Sequence, residues 1–519
     1  MIEKDDTRTA GRGGLAVLGA KLYFIVTGFV QQPLLNLAIG AADYGALSRV
    51  LAVSNVVNNV VVASSTQGVS RTVAPSGERH AQALRATLRV HAILALAFAA
   101  ALAAASPLVA TFQRAPGITV PLAVMSLVLL VYGVYAPLVG YLNGRRQFAR
   151  QATLDVVAAT LRTAGFVGLG ALFARSAGPL AASLGTTPGF LGATVGAVLA
   201  AAGVFSLALR WTGTGKPGEG GPSTRAYLSL IAPIMVSQFF TNALMQADII
   251  MLGRYLSLGA IATGAADPQA SANEWVTGYR ACQLFAFLPY QLLFSVTQVL
   301  FPMLAKAKAE GGADVPALVR RGSRIGAIFA GALVCVVVAL PQSLVKLAYG
   351  ADVAQRAFPA LRVLALGQAT FAMLGLAITI LVSLGREKTA MTINALALGL
   401  LVTACAVVTP TATFGGAQLV ATATATSVAM AVALVIAVLR VRHVAGAFVP
   451  WKTTVRVGLC IAAAWLVGGR LPALSKPLTL VAAAGVGALY LAALVIGGEL
   501  GKADLALVRS IAGRKTADR

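Results

Sequence analysis

The chain has 519 residues, of which 58% are hydrophobic and only 11% are charged. Soluble domains average about 25% charged residues, so this chain lacks the charge to cover several soluble domains of its size. Its net charge of +24 would suggest a nucleic-acid partner in a soluble protein. Here the lysines and arginines stand mostly in short loops between apolar blocks, a pattern typical of membrane topology. Composition therefore excludes a soluble enzyme, a secreted disulfide scaffold and a disordered chain, and we expect no nucleic-acid partner.

Fourteen apolar blocks are each interpreted as a membrane-spanning helix, which takes about 20 residues. In chain order they are 15–40, 48–72, 85–111, 117–143, 151–174, 186–210, 226–252, 275–303, 325–348, 358–384, 390–410, 414–440, 456–471 and 477–499. The block 456–471 is short and is followed by Pro472. The sequence predicts an all-α polytopic membrane protein with about 14 transmembrane helices.

Basic residues predict the orientation of these spans. With the N-terminus on the inner side, most of the 41 lysines and arginines fall on inward segments, as the positive-inside rule requires. An even number of spans then returns the C-terminus to the same side. Both termini are therefore predicted to be cytoplasmic, and the chain to cross the membrane many times.

A weak internal repeat relates the two halves of the chain. Gln67–Ala74 ends span 2 much as Gln298–Ala305 ends span 8, and Asn143–Arg146 precedes span 5 as Leu384–Glu387 precedes span 11. Two six-helix lobes with the same orientation indicate a transporter architecture, with the substrate site between them. The predicted domains are an N-terminal lobe, a Gly- and Pro-rich cytoplasmic linker, a C-terminal lobe, and an appended helix pair with a tail: 1–210, 211–225, 226–440 and 441–519.

No catalytic or metal-binding motif is evident. Gly213–Gly218 matches GxGxxG, but it lies in the linker with no strand before it, so a nucleotide site is not indicated. The four cysteines have no CxxC spacing and the three histidines have no metal-ligand spacing. We expect no enzymatic activity, no cofactor and no metal.

Charges inside the spans are the informative residues, because a base at a helix centre usually has a partner or faces water. Arg162 lies roughly 16 Å into span 5 and cannot easily reach either interface. Asp155 lies two turns earlier on the same face, and Lys21 lies near the inner end of span 1. Either these charges line a cavity or they form structural ion pairs, and the sequence leaves both open.

A second group of bases lies near the predicted outward ends of spans, against the overall charge bias. The group is Arg49, Arg254, Arg280, Lys346 and Arg362. An anionic partner is one reason for their position. Pairing with nearby acids is the alternative; the acids in reach are Asp43, Asp248, Glu274 and Asp352.

Amide side chains concentrate in spans 2, 7 and 8, and spans 1, 2, 7 and 8 are the equivalent pairs of the two proposed lobes. The candidates are Asn55 and Asn59, then Gln238, Asn242 and Gln246 at helical spacing, and Gln283. Such amides either join helices to each other or line a wet cavity suited to hydrogen-bonding sugars.

Several short motifs together resemble one transporter family. They are Ala42–Gly45, Gln67–Ala74, Leu142–Arg145, Leu288–Tyr290 with Phe301–Ala305, Leu384–Arg386, and Phe414–Ala417 with Ala421–Thr422. In this order they resemble the multidrug/oligosaccharidyl-lipid/polysaccharide (MOP) exporter superfamily, in its Wzx-type polysaccharide flippase branch. The related MurJ-type lipid II flippases use cavity arginines, whereas this chain has Lys21 and no arginine within span 1.

The resemblance implies two lobes and alternating access in the bacterial inner membrane. It implies an undecaprenyl-pyrophosphate-linked oligosaccharide as substrate, with membrane lipids, a polysaccharide polymerase and glycosyltransferases as partners. Asp155 and Asp248 are the candidates for coupling to H⁺ or Na⁺, and coupling to membrane potential alone is the alternative. Lipid II flipping, cation-coupled drug export of the MATE type and a membrane glycosyltransferase or polymerase are the competing functions.

Overall fold

A computed structural model describes the backbone of residues 2–218 and 221–501, and their side chains apart from residues 2–18, 295 and 299. Every regular element in that part of the chain is helical, as a lipid-embedded backbone requires, because a helix satisfies its own hydrogen bonds. The α-helices are α1 (Ile2–Ile39), α2 (Ala41–Val73), α3 (His80–Phe112), α4 (Thr119–Gly144), α5 (Phe148–Ala164), α6 (Gly170–Ser176), α7 (Gly178–Ser183), α8 (Pro188–Thr212), α9 (Thr224–Ala262), α10 (Pro268–Ala286), α11 (Leu288–Ala309), α12 (Val315–Ala339), α13 (Pro341–Tyr349), α14 (Ala351–Ser383), α15 (Glu387–Val408), α16 (Gly416–Ala445), α17 (Trp451–Gly468) and α18 (Lys476–Ile496).

Thirteen helical segments in the described residues are long and apolar enough to cross a membrane. The prediction of an all-α polytopic membrane protein is therefore confirmed. The predicted span 456–471 corresponds to α17, an 18-residue helix outside these thirteen, whose first turns carry Lys452 and Arg456. These two bases lower its mean hydropathy.

Two predicted spans are interrupted. The eighth contains a break at Phe287 between α10 and α11, and the ninth breaks at Leu340, where Pro341 begins α13. Proline lacks the backbone N–H that a continuing helix needs, so it starts a new helix at this point.

The end of α5 is held close to α8 by a glycine contact. A π-helical turn follows α5 at Gly165–Leu169. A Cβ atom at Gly196 on α8 would lie 2.0 Å from the carbonyl oxygen of Gly165, so the two backbones approach closely only because both residues are glycine. This contact fixes the helix that carries Arg162.

The chain divides into two compact units. Unit 1 comprises Met1–Arg280 and Pro410–Gln418, and unit 2 comprises Ala281–Thr409 and Leu419–Arg519. In unit 1, α9 packs along α2, although the predicted boundaries assign α9 to the C-terminal lobe. The division into lobes at 210 and 226 stays a prediction.

Within unit 1, polar contacts join α9 to α2 and α3 at three levels. At the start of α9, the Tyr227 hydroxyl is 2.7 Å from His91 Nε2, and His91 Nδ1 is 2.9 Å from Ser65 Oγ. All three residues are buried. The second level is a hydrogen bond from Asn59 Nδ2 on α2 to Asn242 Oδ1 on α9, and the third is one from Arg49 Nη1 to Ser257 Oγ. Each of these hydrogen bonds is 2.9 Å long.

In unit 2, one carboxylate joins three elements. Glu499, just after α18, accepts from Arg324 Nε on α12 at 2.8 Å and from Arg456 Nη1 on α17 at 2.7 Å. Thr453 Oγ1 donates to it at 2.6 Å, and Arg324 Nη2 also donates to the Glu499 carbonyl oxygen. Burial raises the pKa of Glu499, but these hydrogen bonds and the arginine charges more than offset it, so the pKa lies below its ordinary value.

Replacing this carboxylate should destabilise unit 2. Glu499→Gln leaves two arginines without their counter-charge, which should cost about 2 kcal/mol, less than a fully buried pair because both arginines are partly exposed. The lowered pKa adds a pH dependence: the contribution of Glu499 is complete above about pH 4.3 and is lost as pH falls further.

Thermal unfolding of the purified protein at neutral and acidic pH measures both effects. Glu310→Gln is the matched control, since Glu310 pairs with Lys306 on an exposed surface and should contribute little. Equal melting temperatures for the two variants would contradict the stabilising role that we assign to Glu499.

Candidate functional site

Unit 1 contains a cavity of about 330 Å³ between helices α1, α2, α4 and α5. Many of its lining residues are aliphatic or aromatic, but twelve are polar or charged. These twelve are Gln31, Gln32, Tyr44, Ser54, Asn55, Asn58, Asn59, Tyr132, Tyr135, Asp155, Arg162 and Arg280. Because the cavity lies among membrane-spanning helices, it places polar groups where lipid alone could not solvate them.

Arg162 is the best-defined cation of the cavity. Its Nε donates to Gln31 Oε1 at 3.3 Å, and its guanidinium carbon lies 4.5 Å from the centre of the Phe24 ring. Thr163 Oγ1 donates to the same Gln31 oxygen at 3.1 Å. No carboxylate among the described side chains forms an ion pair with Arg162. A weakly paired guanidinium in a cavity suits an anionic ligand.

Asp155 and Arg280 lie in the same cavity. Asp155 precedes Arg162 by two turns of α5, and the positive charge of Lys21 on α1 acts on its carboxylate. Lys21 itself is exposed and does not line the cavity. The cavity thus combines two arginines with one aspartate.

Asn55, Asn58 and Asn59 present a row of amides from α2 to the cavity. The amides of α9 serve a different role. Asn242 Oδ1 accepts from Asn59 Nδ2 at 2.9 Å, and Asn242 Nδ2 donates to the backbone oxygen of Gln238 at 2.8 Å. Gln246 is buried but does not line the cavity. Of the three α9 amides, Asn242 therefore joins α9 to α2.

The remaining predicted arginines lie outside the cavity. Arg254 stacks on Phe112 with its guanidinium carbon 4.8 Å from the ring centre, and donates to the Phe112 carbonyl oxygen. In unit 2, Arg362 stacks in the same way on Trp465 at 4.2 Å and donates to its carbonyl oxygen. Both side chains cover an aromatic ring instead of pairing with an acid.

Arg49 is fully buried, with 0% of its surface exposed. Its Nη1 donates to Ser257 Oγ at 2.9 Å and lies 3.5 Å from the Gln113 carbonyl oxygen. Nε and Nη2 have no hydrogen-bond partner within the described part of the chain. This arginine connects α2, α3 and α9 at their predicted outward ends.

Two further predicted residues are buried elsewhere. The Asp248 carboxylate accepts from the Tyr279 hydroxyl at 2.8 Å and from the Ile249 N–H at 2.8 Å. Gln283 is buried in unit 2. The structure brings together Asn55, Asn59, Asp155, Arg162 and Arg280 in one cavity, and the other candidates lie outside it.

The cavity also contains residues that were not singled out from the sequence. Gln31 and Gln32 are adjacent amides in the apolar span of α1, and Tyr132 and Tyr135 lie on α4. Two consecutive glutamines in a membrane span are a signal for a polar site, since each amide is costly to leave in lipid. The tyrosines carry no comparable signal.

A family model described as polysaccharide biosynthesis protein matches residues 10–308, more than half of the chain. The chain belongs to this family. It is a membrane transporter family of the MOP superfamily, so the resemblance found in the sequence motifs is confirmed. No curated protein sequence matches the chain.

Solved structures support the same fold. The lipid II flippase MurJ in an inward closed conformation matches with a TM-score of 0.71 and 13% identity, over 93% of this chain and 98% of that chain. An inward-facing MATE-family multidrug resistance transporter matches at 0.58 and 13%, over 83% and 98%. A MOP superfamily transporter from Pyrococcus furiosus matches at 0.56 and 15%, over 83% and 96%. At identities of 13–15%, the similarity to these structures shows a shared fold.

The burial of Arg49 predicts an unusual mutational response. Arg49→Met removes a buried charge that has no ion-pair partner among the described residues, and that gain exceeds the roughly 1.5–3 kcal/mol of its hydrogen bond to Ser257. The melting temperature should therefore stay the same or rise. Arg49→Ala also opens a void and should lower it. Equal destabilisation by the two substitutions would contradict this view of Arg49.

Proposed function

We propose that this chain moves an oligosaccharide linked to a polyprenyl pyrophosphate across the bacterial inner membrane by alternating access. The observation that carries the proposal is the cavity in unit 1, where Arg162 and Arg280 face a space lined by amides. Family membership supports a substrate of polysaccharide synthesis. The chain acts as a transporter and not as an enzyme.

The chemistry of the cavity fits the head of such a lipid. A pyrophosphate carries several negative charges, and a guanidinium binds phosphate oxygens with two parallel hydrogen bonds. The Asn55, Asn58 and Asn59 amides offer donors and acceptors for sugar hydroxyls. A volume of 330 Å³ lies at the lower end for a ligand site, so we assign the cavity to the pyrophosphate and its nearest sugar.

Lipid II shares the pyrophosphate, and the MurJ likeness makes it the second candidate substrate. Asp155 in the cavity is the observation that favours a cationic drug, as in MATE-type exporters. Two arginines facing the same space oppose that function, because they repel a cation. Glycosyltransferases and a polymerase are the partners that supply the lipid-linked glycan and consume it.

We assign ion coupling to Asp155 before Asp248. Asp155 faces the cavity, so a proton or Na⁺ entering the cavity reaches it. Asp248 is buried and bound to Tyr279, which suits a structural role. Membrane potential alone acts on the same charges and is the alternative driving force.

Neutralising either cavity arginine should reduce export. For Arg162→Gln and Arg280→Gln we expect an initial rate at least about tenfold lower, since a hydrogen bond to a charged group contributes about 1.5–3 kcal/mol. The measurement is transfer of lipid-linked oligosaccharide in proteoliposomes, with protein amount checked in parallel. Arg175→Gln is the control, because Arg175 is an exposed arginine of the same unit outside the cavity.

Three outcomes distinguish the candidates. Selective loss in both cavity variants with lipid-linked oligosaccharide supports the proposal. If the protein transports lipid II but not the lipid-linked oligosaccharide, and both cavity variants lose that transport, the MurJ-type function is assigned instead. Unchanged export in both variants, or transport of a cationic dye that the substitutions improve, would refute the oligosaccharide assignment.

Asp155→Asn should uncouple transport from an ion gradient. The amide keeps the shape of the side chain but cannot exchange a proton or hold a cation as a carboxylate does. We expect gradient-stimulated transfer in proteoliposomes to fall to the unstimulated rate, with substrate binding retained. An equal response to an imposed pH or Na⁺ gradient in wild type and variant would exclude Asp155 as the coupling residue.

A further inference from the structure

A second cavity lies in unit 2, where the beginning of α15 meets the end of α16. Its volume is about 430 Å³. We call it the α15–α16 groove; its lining is Arg386, Thr389, Thr392, Ile393, Leu396, Ile436, Arg440, His443 and Val444. It shares no residue with the cavity of unit 1.

The polar side of the groove is basic. Arg386, Arg440 and His443 line it, and no acidic residue does. These three side chains have no hydrogen bond or ion pair with any described residue, so their donors are available. Glu387 is the nearest acid in sequence, but it is exposed and lies outside the lining.

The opposite side of the groove is aliphatic. Ile393, Leu396, Ile436 and Val444 line it, and Leu396 remains 52% exposed. Leu439, on the same stretch of α16, is 62% exposed. Exposed leucines on a membrane-spanning helix face lipid, so the groove is continuous with the hydrocarbon region.

We infer that the α15–α16 groove binds an anionic phospholipid, with the phosphate held by Arg386, Arg440 and His443 and an acyl chain lying on Leu396 and Ile436. The charge distribution predicts that this end of both helices faces the cytoplasm, where anionic lipids and basic juxtamembrane residues attract each other. The aliphatic side of the groove distinguishes a lipid from a free phosphate, because a free phosphate has no apolar surface to bury against it.

The two arginines, with the imidazole of His443 beside them, match a headgroup with two phosphates. Cardiolipin is therefore the probe of choice, and phosphatidylcholine, which has no net charge, is the reference lipid. Lipid retention by the purified full-length chain is read by native mass spectrometry. This readout does not depend on whether the chain transports a glycan, so it succeeds or fails independently of the proposed function.

The test compares two double substitutions that remove the same charge. Arg386→Gln with Arg440→Gln changes the groove, whereas Arg320→Gln with Arg321→Gln removes two exposed arginines of α12 outside it. We expect the groove variant to bind cardiolipin about tenfold more weakly, and the α12 variant to bind it within about twofold of wild type. Leu396→Trp, which fills the aliphatic side of the groove without changing its charge, should weaken cardiolipin binding as well.

Folding is checked by melting temperatures in phosphatidylcholine, which should be equal because both arginines of the groove are exposed and unpartnered among the described residues. Equal cardiolipin retention by the two double variants would overturn the inference. Displacement of cardiolipin by inorganic phosphate would show an ion site without lipid. Preferential binding of undecaprenyl pyrophosphate over cardiolipin would show that the groove binds the polyprenyl carrier, and would overturn the phospholipid assignment.

Discussion

The arginine at the centre of a membrane-spanning helix is the constraint on which the rest of the site depends. A guanidinium at that depth costs roughly 2.5–3.5 kcal/mol on insertion scales unless water or polar groups surround it. Around Arg162 the chain provides the Gln31 amide, the face of Phe24 and the cavity itself. None of these is a carboxylate paired with it. The charge is kept solvated but not neutralised, which is the condition for binding an anion reversibly.

Unit 1 supports this cavity with two kinds of helix contact. Glycines at 165 and 196 bring α5 and α8 to backbone contact, which sets the helix that carries Arg162. Hydrogen bonds at three levels fasten α9 along α2 and α3. Small residues and amides are the groups that hold membrane helices together, because lipid provides no hydrophobic force between them. In the unit 2 cluster around Glu499 a buried carboxylate does the same for α12, α17 and the segment after α18.

The sequence predicted the membrane helices well, because a run of 20 apolar residues leaves the backbone only one satisfied conformation. It also predicted that Arg162 faces a cavity as one of two options, from its depth in the span. It could not predict the stacking of Arg254 on Phe112 or of Arg362 on Trp465. Those partners are 142 and 103 residues away in the chain, and only tertiary packing brings them together. The break at Phe287, in contrast, has a local signal, because Pro289 lies in the first turn of α11.

The central claim is that the cavity of unit 1 is hydrated and positively charged. The most direct measurement is the rate at which anionic and cationic thiosulfonates modify a cysteine at position 58, in a chain whose four native cysteines are replaced. Asn58→Cys should react several-fold faster with the anionic reagent, and adding Arg162→Gln should remove that preference. Failure of both reagents to react, or faster modification by the cationic one, would contradict the account.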